Sequence, residues 1–538
     1  MAVLSGLLTA ISFPDVNFYH LAWLSLIPLL ILVFNSNPKK SFFTGIISGT
    51  VYFSVLLYWI APTFTAAGEP VILGILSLLS LAVYLSIFTG FFCLITAIYF
   101  KKSEGGTAVI LFAPLIWTGI EYIRGHLFGG FPWGLLGYSQ WPNKYVAQIT
   151  DITGVYGVSF LIMTVNVLFA YLINSIISGD NKKTVLKKIL TPSILVGAII
   201  VLSFAYGVYS LRRHNRSNDL KTLRIAVLQG NIDQYKKWDN EYSEGIITTY
   251  ENLALEAAKD KPDIIIWPES ALPCLLNNDK ILRDRISRLC KKTNTWHLVG
   301  AVDLYGGDFY NSALLLNASG TLVGRYDKIH LVPFGETIPL KTFLGKFIKT
   351  LNELGEISPG KEYKVLPLGF HERRELALGA NICFEAIFPE IFQKLSKNGA
   401  RILVNLTNDA WYMNTSAPRQ HFIFNVFRAI ENRRYLIRAA NTGISGVIGP
   451  TGRIARETIV FVPGIVVYDI PINPKMPNSF YTVFGDVFAY ACILLSAALF
   501  LTTAGVFRKI IVGRGSQNRK PSLRSFNEQR KSGKNQQN

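Results

Sequence analysis

The feature that most constrains the fold of this chain is a set of long apolar runs. The clearest extends from Val71 to Phe100 without a charged residue, and a helix needs about 20 apolar residues to cross the hydrocarbon core of a bilayer. Half of all residues are hydrophobic and the mean hydropathy is +0.30, which is typical of a chain that crosses a bilayer repeatedly. The sequence therefore predicts a multi-pass α-helical membrane bundle.

Eight apolar segments are candidate spans, seven of them in a bundle over residues 1–211 and the last at residues 487–507. The first two are short, so they are interpreted as tilted spans, as a re-entrant pair or as one broken hairpin around Pro14. A signal peptide is disfavoured, because the first segment lacks a basic n-region and a small-x-small cleavage site. The segments are Ala2–Phe13, Leu21–Phe34, Phe42–Ala61, Val71–Phe100, Ala108–Tyr122, Val158–Ile177, Ser193–Leu211 and Val487–Phe507.

Basic residues in the loops predict the orientation of the bundle, because cytoplasmic loops carry an excess of Lys and Arg. Lysine pairs at 39–40 and 101–102, and four lysines within 182–188, fall in alternate loops, and residues 508–538 form a basic tail. We therefore expect both termini to be cytoplasmic and residues 218–473 to lie outside the cytoplasm. The cluster Arg212, Arg213 and Arg216 opposes the rule at that position.

The net charge of +19 is also a property of nucleic-acid-binding proteins. Here much of the charge belongs to the loops and to the tail, and an anionic inner leaflet attracts basic segments of this kind. The sequence therefore predicts the membrane, and no nucleic acid, as the electrostatic partner.

Residues 218–473 have a different pattern, in which short strand-like runs alternate with helical stretches such as Tyr242–Lys259 and Ile281–Thr293. This alternation predicts a layered α/β domain. The domain holds Cys274, Cys290 and Cys383, and an odd number leaves at least one free thiol; Cys274 and Cys290 form a disulfide or are buried residues. The predicted strands are Leu223–Gln229, Asp263–Trp267, Leu298–Val302, Ser312–Leu316, Leu376–Ile382, Ile402–Leu406 and Ile444–Ile448.

Three chemically distinct residues follow strand-like runs in this domain: Glu269, Lys328 and Cys383. A thiol near neutral pH needs a base or a cation to become a nucleophile, and Glu269 suits the base. The oxyanion of a tetrahedral intermediate needs fixed donors, which Lys328 and the N–H of Phe384 supply. A lone Cys is usually a small buried residue and a lone Glu or Lys a solvated one, but three such positions together favour acyl transfer through a thioester.

The order of three motifs, WPES at 267–270, YDKIHLVPFGE at 326–336 and NICFE at 381–385, resembles the nitrilase superfamily, whose Glu-Lys-Cys triad lies on an αββα sandwich. This resemblance covers about Leu223 to Ile470. Nearly end to end, the chain is similar to the apolipoprotein N-acyltransferase family, through segments that include 121–124, 130–133, 154–157, 405–411, 438–443 and 481–486.

The resemblance implies that Glu269 is the general base, that Lys328 is the oxyanion partner and that Cys383 is the nucleophile. It further implies roles for a second active-site glutamate, for the acidic residue after the nucleophile and for two aromatic residues on substrate-engaging loops. These positions are Glu336, Glu385, Trp238 and Trp411. The chain departs from the family at Tyr412-Met413, where the family more often has Phe-Gly.

The reaction that the resemblance implies moves an acyl chain from a membrane phospholipid to the α-amine of the S-diacylglyceryl cysteine of apolipoproteins, at a bacterial inner membrane. No cofactor is expected, and no metal, since the seven histidines form no ligand-spaced pair. One alternative is a membrane-tethered amidase or nitrilase that hydrolyses a small C–N substrate. Another is a membrane scaffold or transporter with an inactive nitrilase-like domain, against which the intact triad argues.

Overall fold

The computed structural model describes most of the chain. Trp238, Cys274 and the tail 508–538 lie outside the described residues, so what the sequence predicts for them stays a prediction. The described residues are 1–179, 181–214, 221–234, 237, 240–273, 275–276, 279–333, 335–337, 357–369, 376–473 and 476–503.

Helices dominate the first part of the chain, as the apolar runs predict. They are α1 (Ala2–Ala10), α2 (Ile27–Phe34), α3 (Pro38–Leu56), α4 (Ile60–Ala66), α5 (Val71–Lys102), α6 (Val109–His126), α7 (Thr150–Thr153), α8 (Val155–Ile177) and α9 (Lys182–His214).

Three of these helices are long and apolar enough to cross a membrane: α5, α8 and the part of α9 from Val185 to His214. The pair α3 and α4 also qualifies, with a bend of 45° at its break. By this criterion the described residues contain three or four spans, fewer than the eight candidate segments. Helix length explains part of the difference, since the nine residues of α1 rise only about 14 Å against a core of about 30 Å. In α6, Glu121 and Arg124 lower the hydropathy.

The first two apolar segments adopt the broken hairpin around Pro14. A 3₁₀ turn, Tyr19–Trp23, lies between α1 and α2. Thr9 Oγ1 donates to Ser25 Oγ at 3.0 Å, and the side chain of Asn166 in α8 accepts from the N–H of Leu26 at 2.8 Å. The first contact joins α1 to the segment before α2, and the second attaches that segment to α8.

The second part of the chain forms an α/β domain. Its strands are β1 (Thr222–Gln229), β2 (Ile264–Ile266), β3 (Trp296–Tyr305), β4 (Asp308–Leu316), β5 (Leu322–Asp327), β6 (Leu366–Pro367), β7 (Ala377–Ile382), β8 (Ile402–Thr407), β9 (Tyr435–Ala440), β10 (Gly446–Ile448), β11 (Ile454–Glu457) and β12 (Gly464–Pro471). Its helices are α10 (Asn240–Ala258), α11 (Lys280–Thr293), α12 (Pro389–Lys397) and α13 (Ala417–Asn432). The chain then returns to the bundle through α14 (Phe480–Phe484) and α15 (Val487–Thr503).

The strands form two six-stranded sheets, ordered β12-β1-β2-β3-β4-β5 and β11-β10-β9-β8-β7-β6. Alternation along β1 explains the layers, since successive side chains of a strand point to opposite faces. Ile225 and Val227 pack in the core shared with the second sheet, whereas Ala226 and Leu228 pack with residues of α10 and α11. The predicted αββα sandwich attached to a helical membrane bundle is therefore confirmed. Cys290 is a buried free thiol. Of the two alternatives for Cys290, a disulfide with Cys274 or an unpaired buried residue, the second is therefore correct.

Helix α13 fastens the domain to the bundle. Gln420 Nε2 donates to the carbonyl of Leu56 at 3.1 Å, and Gln420 Oε1 accepts from Trp133 Nε1 at 2.8 Å. Farther along the helix, Arg428 Nη2 donates to the hydroxyl of Tyr138 at 2.8 Å.

The far end of α13 makes equally polar contacts with the bundle. Glu431 Oε1 accepts from the N–H of Val155 at 3.1 Å. Arg433, directly after the helix, forms an ion pair with Asp151 at 2.8 Å and donates to Gln148 Oε1. Because Arg428, Glu431 and Arg433 are almost fully buried, the bundle supplies partners that these groups require.

Candidate active site

The two sheets bring Glu269, Lys328 and Cys383 into one buried cluster. Glu269 lies three residues after β2, whereas Lys328 directly follows β5 and Cys383 directly follows β7. Their exposed fractions are 6%, 1% and 8%. Lys328 Nζ lies 3.4 Å from Glu269 Oε1, and Cys383 is within electrostatic reach of both side chains.

Cys383 lies at a sharp turn at the end of its strand. Its φ is +52°, in the left-handed region that costs a non-glycine residue on the order of 1–3 kcal/mol. A 3₁₀ turn, Cys383–Ile387, begins at this residue, so the N–H of Phe384 lies in a first turn, where backbone donors have no partner within the turn. His421 Nε2 lies 3.0 Å from the carbonyl oxygen of Cys383, which helps to hold this backbone conformation.

The histidine behind Cys383 belongs to a fully buried network. His421 Nδ1 lies 2.9 Å from Asp409 Oδ1, and Arg438 Nη2 lies 2.7 Å from Asp409 Oδ2. Burial raises the pKa of the Asp409 carboxyl, but Arg438 and His421 together lower that pKa below its usual range. Asn405 completes the network, since it accepts from Arg438 and donates to the carbonyl of Cys383. Asp409 is therefore an ionised anchor for the turn that carries Cys383.

Lys328 is held between two glutamates. Its Nζ lies 2.8 Å from Glu336 Oε2, and Asn311 Nδ2 donates to both Glu269 Oε1 and Glu336 Oε1, at 2.8 and 2.9 Å. Burial opposes the charged ammonium, but Glu336 and Glu269 outweigh it and raise the pKa of Lys328. Lys328 in turn lowers the pKa of Glu336 against the effect of burial. The lysine is therefore a permanent cation in this site.

Glu385 links the strand end of Cys383 to that of Lys328. Its carboxylate accepts from the N–H groups of Ile329 and Ile382, both at 2.7 Å, and from that of His330 at 3.1 Å. The hydroxyl of Tyr326 is a fourth donor, at 2.9 Å. Burial raises the pKa of Glu385 to about 7, although the backbone donors oppose that rise. Glu385 therefore fixes the two segments relative to each other.

Lys237 is a residue of the site that sequence reasoning did not single out. It is 1% exposed, and its Nζ donates to the carbonyl oxygen of Glu269 at 3.1 Å. Burial lowers its pKa to about 8, and the nearby Glu269 and Cys383 oppose that shift. Its burial and its contact with the backbone carbonyl of Glu269 mark it, and only a structure shows them.

The aromatic residues of the site differ in their surroundings. The structure places Trp411 on the 3₁₀ turn Asp409–Tyr412, with 44% of its surface exposed. The ring of Tyr412 is packed against Trp59 and His421. Met413 has a φ of +53°, a conformation that suits the glycine more common at this position of the family. Among the described residues, no group of three His, Cys, Asp or Glu side chains is arranged to hold a metal ion.

Comparisons with known proteins agree with this architecture. Residues 5–168 match the model of the apolipoprotein N-acyltransferase N-terminal domain, and residues 224–473 match that of the carbon-nitrogen hydrolases. The chain is 37% identical over 505 residues to apolipoprotein N-acyltransferase from Geobacter metallireducens, which covers 93% of this chain and 94% of that protein. Identity to the Haemophilus influenzae enzyme of the same name is 32%, covering 95% of each. A solved amidase structure from Nesterenkonia sp. AN1 aligns with 50% of this chain and 98% of its own, at 18% identity and a TM-score of 0.38.

The fold and the site define a carbon-nitrogen hydrolase domain attached to membrane helices. The matching relatives extend through both parts of the chain. The chain belongs to the apolipoprotein N-acyltransferase family, and it is therefore a membrane-bound acyltransferase.

Proposed function

We propose that this enzyme moves a fatty acyl chain from a membrane phospholipid to the α-amine of the S-diacylglyceryl cysteine of apolipoproteins. The observation that carries this proposal is the cluster of Cys383, Glu269 and Lys328 in a domain that α13 fastens to membrane helices. Acyl chains cost about 0.8 kcal/mol per CH₂ when they enter water. A site attached to a bilayer avoids that cost for both substrates.

Cys383 is the nucleophile and Glu269 is the general base in this proposal. Burial raises the pKa of the Cys383 thiol, and the Glu269 carboxylate raises it further, although Lys328 opposes both effects. The resting residue is therefore a thiol, and its proton must move to Glu269 as sulfur attacks the ester carbonyl. This coupling keeps the thiolate from accumulating before substrate is present.

Lys328 and the N–H of Phe384 stabilise the oxyanion that forms in each half-reaction. Lys328 stays protonated between Glu269 and Glu336, so it supplies a fixed positive charge in a dry site, where such a charge is most effective. Glu336 supports the reaction by holding the ammonium in place.

The proposed reaction has two balanced halves. Cys383 Sγ forms a bond to the acyl carbon, the ester C–O bond breaks, and the lysophospholipid leaves with the proton held by Glu269. The acceptor amine then attacks the thioester and gives a proton to Glu269, the C–S bond breaks, and Cys383 Sγ takes that proton from Glu269, which restores the thiol and the free carboxylate. A thioester is more reactive than the ester from which it formed, so it suits the second step.

The acyl-enzyme is the species that tests this proposal. Wild-type protein mixed with phospholipid should gain one acyl mass on the peptide that contains Cys383, and hydroxylamine should remove it. Cys383→Ala and Cys383→Ser should gain none, because serine is a much weaker nucleophile in a site built for a thiol. Cys290→Ala is the matched control, since Cys290 is another buried free thiol. N-acylation of a diacylglyceryl lipopeptide by the alanine variant would overturn the assignment.

The role of Glu269 has its own test. Glu269→Gln keeps the shape of the side chain but cannot take a proton, so the folded variant should form no acyl-enzyme. A rate of acylation close to that of wild type would assign the base to another residue. Hydrolysis of a small soluble amide without phospholipid would instead favour the amidase alternative.

The proposed orientation places the catalytic domain on the outer side of the bacterial inner membrane, with both termini in the cytoplasm. It rests on the basic loops, and diacylglyceryl lipoproteins would meet the site there. A reporter fused after Leu211 should be located outside the cytoplasm, and one fused after Phe507 should be located inside it. The opposite result would contradict both the orientation and the lipoprotein acceptor.

A further inference from the structure

A cavity lies between the end of α9 and the catalytic domain. Its volume is about 870 Å³, within the range of about 300–1,000 Å³ that is usual for ligand sites. Neither the catalytic cluster nor Glu336 or Glu385 contributes to its lining. Arg433 lines it at the end of α13, twelve residues after His421, which corresponds to about 18 Å along the helix. This basic cavity is therefore separate from the site of acyl transfer.

The lining of the basic cavity is strongly cationic. Among the described residues that line it, Asp151 is the only acidic one, and it is paired with Arg433 at 2.8 Å. In the described part of the chain, the other five arginines form no ion pair with a carboxylate. The six arginines are Arg213, Arg401, Arg433, Arg434, Arg453 and Arg456.

Neutral acceptors hold the inner arginines in place without balancing their charge. Arg434 is 1% exposed, and its Nη2 donates to Asn478 Oδ1 at 2.6 Å. Arg401 Nη1 donates to the carbonyl of Met476 at 2.8 Å. Burial and the neighbouring charge of Arg401 lower the pKa of Arg434 to about 10. A bound anion would relieve this repulsion.

A plainer interpretation treats these arginines as ordinary surface charges. Basic residues at the end of α9, such as Arg213, do complement the carbonyl groups of a helix terminus. That account does not extend to Arg401, Arg453 and Arg456, which come from the strands and turns of the catalytic domain. Residues from two parts of the fold thus converge on one cavity with the same sign of charge.

The surroundings of the cavity resemble a membrane interface. Tyr206 and Tyr209 of α9 line it, and tyrosine is enriched at the headgroup level of bilayers. One to two turns earlier on the same helix, Leu202 is 68% exposed, and Phe484, whose ring packs against that of the lining residue Phe480, is 60% exposed. Exposed apolar surface next to a cationic cavity matches a molecule with acyl chains and an anionic head.

We propose that the basic cavity binds the phosphate-bearing headgroup of an anionic phospholipid from the leaflet that faces the catalytic domain. This lipid is retained and is not the acyl donor. It also gives a reason for Arg213, which opposes the usual distribution of basic residues around membrane helices. The proposal depends on the arginines and not on Cys383, so it can fail while the acyl-transfer proposal stands.

Native mass spectrometry of the full chain in neutral detergent tests the site. The Cys383→Ala background prevents consumption of lipid, and the probes are dioleoylphosphatidylglycerol, dioleoylphosphatidylcholine and inorganic phosphate. Each arginine near an anionic lipid contributes roughly a fivefold gain in affinity. Arg453→Gln combined with Arg456→Gln should therefore weaken phosphatidylglycerol binding about 25-fold and leave phosphatidylcholine binding unchanged.

Two controls separate charge from folding. Arg288→Gln removes the same charge from an exposed position on α11 and should change nothing. Replacing Arg453 and Arg456 with lysine should keep most of the affinity, because the charges remain. Equal loss for both lipids, or no loss for phosphatidylglycerol, would overturn the proposal. The concentration of inorganic phosphate that displaces the bound lipid should be higher than that of free phosphatidylglycerol. Equal concentrations would overturn the lipid assignment.

Discussion

Lys237 allows a prediction in which stability and pH are linked with a defined sign. Burial lowers its pKa to about 8 in the folded protein, whereas a lysine in an unfolded chain has a pKa near 10.4. Between these values the unfolded state binds more protons, so the stability of the wild type rises with pH. Lys237→Met removes the titrating group and should remove this rise.

The magnitude follows from the two pKa values. A gap of about 2.5 pKa units corresponds to about 3 kcal/mol. Below pH 8 the folded wild type buries an ammonium, and its free energy of unfolding is lower by this amount. The substitution also removes the hydrogen bond to the carbonyl of Glu269, which contributes about 1 kcal/mol. We therefore expect Lys237→Met to be more stable than wild type by about 2 kcal/mol at pH 7, and about equal to it at pH 10.

Denaturant unfolding in detergent, followed by tryptophan fluorescence, measures the difference in unfolding free energy between Lys237→Met and wild type at each of the two pH values. Lys291→Met, at an exposed position on α11, is the control and should show no change with pH relative to wild type. A constant difference between Lys237→Met and wild type would show that the buried lysine has an ordinary pKa, and the reasoning would be refuted. In the same variant Cys383 should be acylated more slowly by phospholipid, because the backbone of Glu269 loses its hydrogen bond from Lys237.

The remaining predictions concern the triad and its supports. Lys328→Ala should raise the activation barrier of acyl-enzyme formation by about 3 kcal/mol, the usual value for one oxyanion donor. A single-turnover rate near that of wild type would exclude Lys328 as an oxyanion donor. Glu385→Ala leaves four donors without their acceptor and should cost at least about 3 kcal/mol of unfolding free energy; an unchanged thermal midpoint would contradict this. Trp411→Ala should impair acceptor turnover more than thermal stability, since Trp411 is 44% exposed, and a normal turnover of lipopeptide would remove its role. For Trp238→Ala we expect the same result, from the sequence alone.

The clustering of Glu269, Lys328 and Cys383 was predictable in part, because each of them follows a strand and the strands before Glu269 and Cys383 are apolar. The runs before Glu269 and Cys383 are almost fully buried strands in the structure. His421 carries no comparable signal, because it lies inside a helix among residues of mixed polarity. Its partnership with Asp409 and Arg438 depends on distant segments meeting in space.

The fold was predictable to a similar extent. Local apolar patterns identified the helices of the bundle and most inner strands. They did not identify β12, which pairs with β1 across more than 230 residues of sequence, nor the role of α13 between the two parts. The number of membrane spans stays a prediction: three or four of the candidate segments meet a length and hydropathy criterion among the described residues, and apolar runs also occur in short helices such as α1 and α2.

The contacts of α13 also determine what can be cut out of this protein. Arg433 would lose Asp151, Glu431 would lose the N–H of Val155, and Arg428 would lose Tyr138 if residues 218–473 were produced alone. Truncation would thus break the ion pair between Arg433 and Asp151 and remove the bundle's neutral partners of Arg428 and Glu431, which would keep only their mutual ion pair. We therefore expect residues 218–473 to be less stable when they are produced alone than within the whole membrane protein.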